Sequence, residues 1–243
     1  MPELPPSLLN ALRSARRVAV LTGAGVSAES GVPTFREAQT GLWARYAPEE
    51  LATPEAFRAN PQRVWDWYAW RRGLVAAARP NPGHRALAGL AKRYSGFRLI
   101  TQNVDGLHQR AGSHEVIELH GNIARVKCSE GCGPAEFHDG EGGPPSCPRC
   151  GAWLRPDVVW FGESLPPAAL AAAHQAAVEC QVFLSVGTSS LVYPAADLPI
   201  QAKGNGAVLV EVNREETPLT ARADHVLRGP AGEILPALLA RLC

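Results

Sequence analysis

Short apolar runs separated by stretches of helical character set the rhythm of this chain. Arg17-Val18-Ala19-Val20-Leu21-Thr22 is one such run, closed by Gly23-Ala24-Gly25. It reads as a strand buried on both faces that feeds a tight turn. Further runs fall at Phe97 to Thr101, Val182 to Val186 and Ala207 to Val212, and the stretches His84 to Tyr94 and Pro167 to Glu179 read as helices before two of them. Strands alternating with helices predict a doubly wound α/β sheet.

Two segments break the alternation. Residues 37–80 hold no strand-like run and read as helical, with Asn60 as N-cap and Pro61 at the first helical position. In the helix that follows, Val64, Trp67, Tyr68, Leu74, Val75 and Ala78 share a face at helical spacing. Arg71 falls inside that apolar stripe, one helical turn after Tyr68. Residues 125–152 carry paired cysteines around the loop Gly140-Glu141-Gly142-Gly143-Pro144-Pro145. Both segments read as inserts into the sheet that together make a small second domain.

Composition narrows the class without changing the architecture. The 243 residues are 46% hydrophobic and 19% charged, enough for one sizeable core with a smaller insert. A formal net charge of +1 gives no global field to recruit nucleic acid or an anionic membrane. No apolar run approaches membrane-spanning length, and the opening Met1-Pro2-Glu3-Leu4-Pro5-Pro6 lacks the basic and apolar regions of a signal peptide. A soluble, cytoplasmic protein is expected, in which six cysteines argue against a disulfide framework.

Four of those cysteines carry chemistry. Cys128-x3-Cys132 and Cys147-x2-Cys150 form two knuckles separated by fourteen residues, a spacing that lets four thiolates converge on one zinc ion. With four protein ligands the ion keeps no open position for water, so its role is structural. Glu130, Glu136, Asp139 and Glu141 surround the knuckles and do not suit phosphate contacts, which argues against a nucleic-acid role. Cys180 and Cys243 read as bystanders.

The loop after the first strand, Gly23-Ala24-Gly25-Val26-Ser27-Ala28-Glu29-Ser30-Gly31-Val32-Pro33-Thr34-Phe35-Arg36, is rich in small residues that let backbone N–H groups approach a pyrophosphate. Ala28 stands where a dinucleotide fingerprint has its third glycine, so glycine count alone is a weak signal. The whole string is specific: it resembles the opening motif of the sirtuins. The resemblance continues in Thr101-Gln102-Asn103-Val104-Asp105-Gly106-Leu107-His108, Glu118-Leu119-His120-Gly121 and the four cysteines. It runs on through Arg155 to Glu163, Val186-Gly187-Thr188-Ser189 and Asn213-Arg214-Glu215, in family order and over nearly the whole chain.

That resemblance implies a Rossmann-like sheet and an NAD-consuming protein deacylase. It implies that Gly23, Ala24, Gly25, Ser27, Ala28, Glu29, Pro33, Thr34, Phe35 and Arg36 wrap NAD, the last residues on a segment that closes over it. Asn103 and Asp105 would hold the nicotinamide carboxamide, with Val104 between them, and Gln102 the nicotinamide ribose. Gly187, Thr188, Ser189, Asn213, Arg214 and Glu215 follow strands, where such sheets bind ligands, and Ala231 would meet the adenine. His120 is implied as the base. An imidazole with a pKa near neutrality can take a proton from a ribose hydroxyl once the acyl oxygen has displaced nicotinamide. The products would be free lysine, nicotinamide and 2′-O-acyl-ADP-ribose. Glu37 stands where many relatives carry a small residue, a change that removes no catalytic group.

The substrate is implied to be an acyl-lysine peptide added as a strand between Phe161-Gly162-Glu163 and Ser190-Leu191-Val192. Tyr68-x-x-Arg71 and Ala52 resemble the branch that removes succinyl and malonyl groups: the guanidinium suits a terminal carboxylate, and Ala52 widens the pocket. Acetyl removal is expected as well. Mono-ADP-ribosyl transfer to protein would use the same NAD residues, and a non-enzymatic NAD or ADP-ribose sensor would need no base.

Overall fold

The computed structural model describes residues 4–33, 46–47, 50–137 and 142–242. Its larger unit is a six-stranded, wholly parallel sheet. In chain order the strands are β1 (Arg17–Thr22), β2 (Gly96–Thr101), β3 (Ile117–Glu118), β7 (Val182–Val186), β8 (Val208–Asn213) and β9 (His225–Arg228). They lie side by side as β3-β2-β1-β7-β8-β9. The chain leaves β1 in one direction to build β2 and β3, then returns to β1's other flank with β7. That reversal makes the β1/β7 boundary a topological switch point, where an open α/β sheet leaves a crevice beyond its strand ends.

Alternation along β1 divides its side chains between two cores. Val18 and Val20 face a layer that includes Leu8, Leu12, Leu87 and Leu235, whereas Ala19 and Leu21 face one with Phe183 and Leu198. The first layer comes from α1 (Pro6–Ser14), α5 (Pro82–Arg93) and α9 (Ala231–Leu242), and the second from α7 (Pro167–Glu179) and α8 (Leu198–Gly204). Helix α5 starts two residues before the stretch read from sequence. The Asn81 side chain accepts the N–H groups of Gly83 and His84, and Pro82 occupies the first turn.

Helix α2 (Ala24–Ala28) follows β1 and packs near α9, whereas α3 (Pro54–Ala59), α4 (Pro61–Ala77) and α6 (Leu107–Arg110) accompany a small antiparallel sheet. That sheet is β4 (Gly121–Cys128) flanked by β5 (Pro134–Ala135) and β6 (Leu154–Val158). Asn60 caps α4 by accepting the Arg63 N–H at 3.0 Å, as its position before Pro61 leads one to expect. The apolar face of α4 differs from the sequence reading. Leu74 is exposed, while Trp65, outside the stripe, is buried against Val126, Cys128, Cys147 and Leu154. Helix α4 is covered on two sides, so a single-stripe reading captures only one of them. Val64, Trp67, Tyr68 and Val75 pack instead with Phe57, Leu107, Ile123 and Trp160.

Candidate active site and metal centre

Strand register assembles the crevice. Thr22 pairs with Thr101 and with Val186, and Val186 pairs with Val212. The next residues of the four strands, Gly23, Gln102, Gly187 and Asn213, therefore emerge in one row. Gly23 N–H donates to Val186 O (3.0 Å) and Gly25 N–H to Gly187 O (2.8 Å), which folds the glycine loop onto the β7 turn. This contact depends on missing side chains. A Cβ on Gly187, whose φ is +61°, would lie 2.6 Å from Val26 N, and one on Gly25 would lie 2.8 Å from Gly187 O. Thr188 ties the row together: its Oγ1 accepts Gln102 Nε2 (2.9 Å), and its carbonyl accepts Asn213 Nδ2 (2.9 Å).

Below the loop lies a polar cluster centred on Ser27. Its hydroxyl donates to Asp105 Oδ2 at 2.7 Å and accepts from Asn103 Nδ2 at 3.0 Å, and the same Nδ2 reaches Gly23 O at 3.0 Å. Asp105 Oδ1 accepts the Leu107 N–H at 2.8 Å. Burial pushes the Asp105 carboxyl above its usual range, opposed by the Leu107 N–H, the Ser27 hydroxyl and the charges of Arg110 and Arg71. Two histidines without a sequence-assigned role support this cluster. His84 Nε2 lies 3.5 Å from Ser27 Oγ, and its ring centroid is 4.8 Å from that of His108, whose Nε2 is 2.8 Å from Thr22 Oγ1. Burial lowers His84 to about 4 and His108 to about 3, so both are neutral at physiological pH. His108 stands inside a motif string, but its position carried no sign of burial.

His120 sits between the two sheets. Its Nδ1 is 2.9 Å from the Gln102 carbonyl, which can only accept, so Nδ1 carries the proton and the neutral ring presents a bare Nε2. Burial lowers its pKa, and the Gln102 bond opposes that shift. The next residue fixes the ring's place. Gly121 has φ +79°, and a Cβ there would lie 2.0 Å from Asp157 O. The carbonyl of His120 itself accepts Val159 N–H at 2.9 Å.

Ala52, Tyr68 and Arg71 are all buried, and Ala52 O accepts Phe161 N–H at 3.0 Å. Tyr68 shares a core with Ala52 and Trp160, and the Arg71 guanidinium lies 4.9 Å from the Trp67 ring centroid. Phe161, Leu191 and Val192 are exposed, with Gly162 in the left-handed region at φ +83°. Glu163 is committed internally. Its carboxylate grips Arg155 at 2.5 and 2.9 Å and accepts Trp160 N–H at 2.8 Å, which holds it below the usual carboxylate range despite burial.

Around the glycine loop, Glu29 accepts Gly232 N–H at 3.1 Å, beside Ala231, and lies 3.9 Å from Arg214. Ala24, Ala28 and Ser189 are exposed at the crevice, and Val104 and Pro33 are half-buried. Glu215 is exposed and its carbonyl accepts from Arg228. Glu211, which sequence reading passed over, is buried on β8 and accepts the Thr217 and Thr220 hydroxyls, ordering the loop that carries Glu215. Thr34, Phe35, Arg36 and Glu37 lie outside the described residues.

The cysteines converge as their spacing implies. The Sγ atoms of Cys128, Cys132, Cys147 and Cys150 all lie within 4.8 Å of one another, with no disulfide among them. A tetrahedral ion with Zn–S bonds of about 2.3 Å needs sulfur separations of about 3.8 Å, so the donor set fits zinc. The backbone N–H of Arg149 holds the Cys147 thiol down to about 6, while the neighbouring Cys150 and Cys128 sulfurs push Cys132 up to about 12, as expected of four sulfurs crowded on one point.

Comparison with known proteins agrees with this geometry. The Sir2 family model matches residues 23–194. An "NAD-dependent protein deacylase" of Ralstonia nicotianae is 58% identical over 230 residues, covering 94% of this chain and 93% of that protein. A Sir2 homolog–NAD complex superposes with TM-score 0.91 at 46% identity, covering 99% of this chain and 94% of the other. A Sir2 homologue variant in complex with 2′-O-acetyl ADP ribose gives TM-score 0.89 at 47% identity, with coverage of 98% and 96%. A family model spanning most of the chain, relatives of more than half identity and a shared fold lead to one conclusion: this chain belongs to the Sir2 family.

Proposed function

We propose that the chain is an NAD-dependent protein-lysine deacylase with a preference for acidic acyl groups. The observation that carries the deacylase reading is the Nδ1–Gln102 carbonyl bond of His120, which leaves Nε2 as a proton acceptor, with Gln102 next in the chain to Asn103 of the Ser27–Asn103–Asp105 cluster. NAD, consumed as a co-substrate, supplies the ribose that takes the acyl group as nicotinamide leaves. Gly23, Gly25, Gln102, Gly187, Thr188, Asn213 and Glu215 bind it along the row of strand ends, and Asn103 and Asp105 hold its carboxamide. His120 then receives a proton from a ribose hydroxyl. Water is kept from the anomeric carbon until nicotinamide has been displaced, and one water is then taken up as free lysine and 2′-O-acyl-ADP-ribose are released. Zinc held by Cys128, Cys132, Cys147 and Cys150 stabilises the small domain, made of inserts 37–80 and 125–152, and takes no part in the reaction.

The acidic-acyl preference rests on Tyr68, Arg71 and Ala52, which lie buried in the small-domain core. A guanidinium that far from water is suited to the carboxylate at the end of an acidic acyl chain. The peptide backbone runs between Phe161-Gly162 and Leu191-Val192. Mass spectrometry of products from matched succinyl-, malonyl- and acetyl-lysine peptides with NAD tests the whole reading. Free lysine with stoichiometric 2′-O-acyl-ADP-ribose, fastest from the acidic acyl peptides, is expected. ADP-ribose attached to protein with no acyl-ADP-ribose would refute it.

A further inference from the structure

The Tyr68 hydroxyl is not simply one donor among others in the acyl pocket; its direction is set from behind. The Trp160 indole N–H donates to Tyr68 Oη at 2.9 Å, between two side chains that are each about 3% exposed. An indole nitrogen only donates, so the phenol oxygen is the acceptor in this bond. Among the described residues nothing accepts the phenol's own proton. Arg71, one turn along α4, cannot take it, because a guanidinium has no acceptor. A phenolic O–H lies near the ring plane and has two orientations there. A donor seated on one side leaves the proton the other. Burial pushes Tyr68 up to about 12, against the charge of Arg71, so the proton is present throughout the physiological range.

Trp160 is itself held in place. The Arg155 guanidinium stacks 3.2 Å above its ring centroid, Glu163 accepts its backbone N–H at 2.8 Å, and the Phe57 ring lies 5.4 Å away. The Arg155–Glu163 pair thus fixes the indole, and the indole fixes the phenol.

We infer that Trp160 is a positioning residue for acyl selectivity: by occupying the acceptor side of the Tyr68 hydroxyl, it aims the phenol proton at the distal carboxylate of a succinyl- or malonyl-lysine. The inference rests on the acidic-acyl reading above. The group recognised is an anionic acceptor at the end of the acyl chain, and an acetyl group offers none.

A double-mutant cycle tests it, with kcat/KM measured on matched succinyl and acetyl peptides for wild type, Trp160→Phe, Tyr68→Phe and the double variant. Trp160→Phe should lower the succinyl-to-acetyl ratio about threefold to tenfold, the worth of one neutral hydrogen bond. In the Tyr68→Phe background the same change should leave the ratio where Tyr68→Phe alone put it, because no hydroxyl remains to aim. A Trp160→Phe variant that slows both peptides equally and keeps the ratio overturns the inference. So does an undiminished drop in ratio in the Tyr68→Phe background. If Trp160→Phe does not fold, 3-benzothienylalanine at position 160 keeps the bicyclic ring and deletes only the N–H, and the same two outcomes apply. Wild-type enzyme with no preference for the succinyl peptide, or Arg71→Met slowing both peptides alike, overturns the acidic-acyl reading itself, and this inference with it.

Discussion

Gly121→Ala should cost activity as well as stability, and the structure says why. The residue has φ +79°, which alone disfavours alanine by about 1–2 kcal/mol. Its new Cβ would also meet Asp157 O at 2.0 Å, Asp157 C at 3.0 Å and Val158 Cα at 3.3 Å. Those atoms are backbone of the paired strand β6, not the end of a flexible side chain, so β4 must move away by more than an ångström. Breaking one or two ladder bonds adds about 1 kcal/mol each, for a total of about 2–4 kcal/mol. In a chain this size about 2–4 °C of Tm accompanies each kcal/mol, so the melt should fall by about 4–16 °C. His120 precedes the clash and is pinned to Gln102 O at 2.9 Å and to Val159 N at 2.9 Å. A displacement of about 1 Å at a catalytic group costs on the order of a hundred-fold in rate. Steady-state kinetics on an acyl peptide, a thermal melt and NAD calorimetry on one preparation separate the effects. Gly206→Ala is the control, since φ is +90° there but nothing lies within 4 Å of the added methyl. It should lose stability through backbone strain with turnover kept. Gly121→Ala turning over at the rate of the control would refute the claim that this glycine sets the position of His120.

Three further outcomes follow from the same geometry. Cys128→Ser should release zinc and lower the melting temperature, with bound metal falling from about one ion per chain as measured by plasma emission. The acid limb of kcat/KM should be centred below the ordinary histidine value of 6.5, because burial lowers His120 and the reactive form is the neutral one. Activity is then lost as pH falls through that lowered value, and a limb centred above 6.5 contradicts the assignment. Arg71→Met should cut succinyl and malonyl efficiency by a factor of tens to thousands, the equivalent of about 2–5 kcal/mol for an unpaired buried carboxylate, with a far smaller effect on the acetyl peptide.

Elements whose cause is local were legible in the sequence. The β1 run, the Asn60-Pro61 start of α4 and the paired cysteine spacings each encode their own structure, and the structure follows them closely. What could not be read is what depends on two distant segments meeting. Leu74 and Trp65 show this on one helix: periodicity finds an amphipathic face only when a single partner covers the helix, and α4 has partners on two sides. Glu163 shows it for a site residue. Its motif marks it as part of the substrate strand, yet its carboxylate is spent on Arg155 and on the Trp160 N–H. His84 and His108 show it for electrostatics, because a histidine's neutrality at physiological pH comes from burial by elements far away in sequence. The motif strings and the three-dimensional network thus answer different questions. The strings name the groups proposed to meet the co-substrate. The network explains why those groups stand still: Ser27 is held between Asn103 and Asp105, Thr188 between Gln102 and Asn213, and His120 against Gln102, each by a hydrogen bond of 3.0 Å or less. A site fixed this way spends little energy on reorganisation when substrate arrives, the condition under which positioned donors and acceptors accelerate a reaction. The expected sensitivity of turnover to Gly121 is the same argument read from the backbone side.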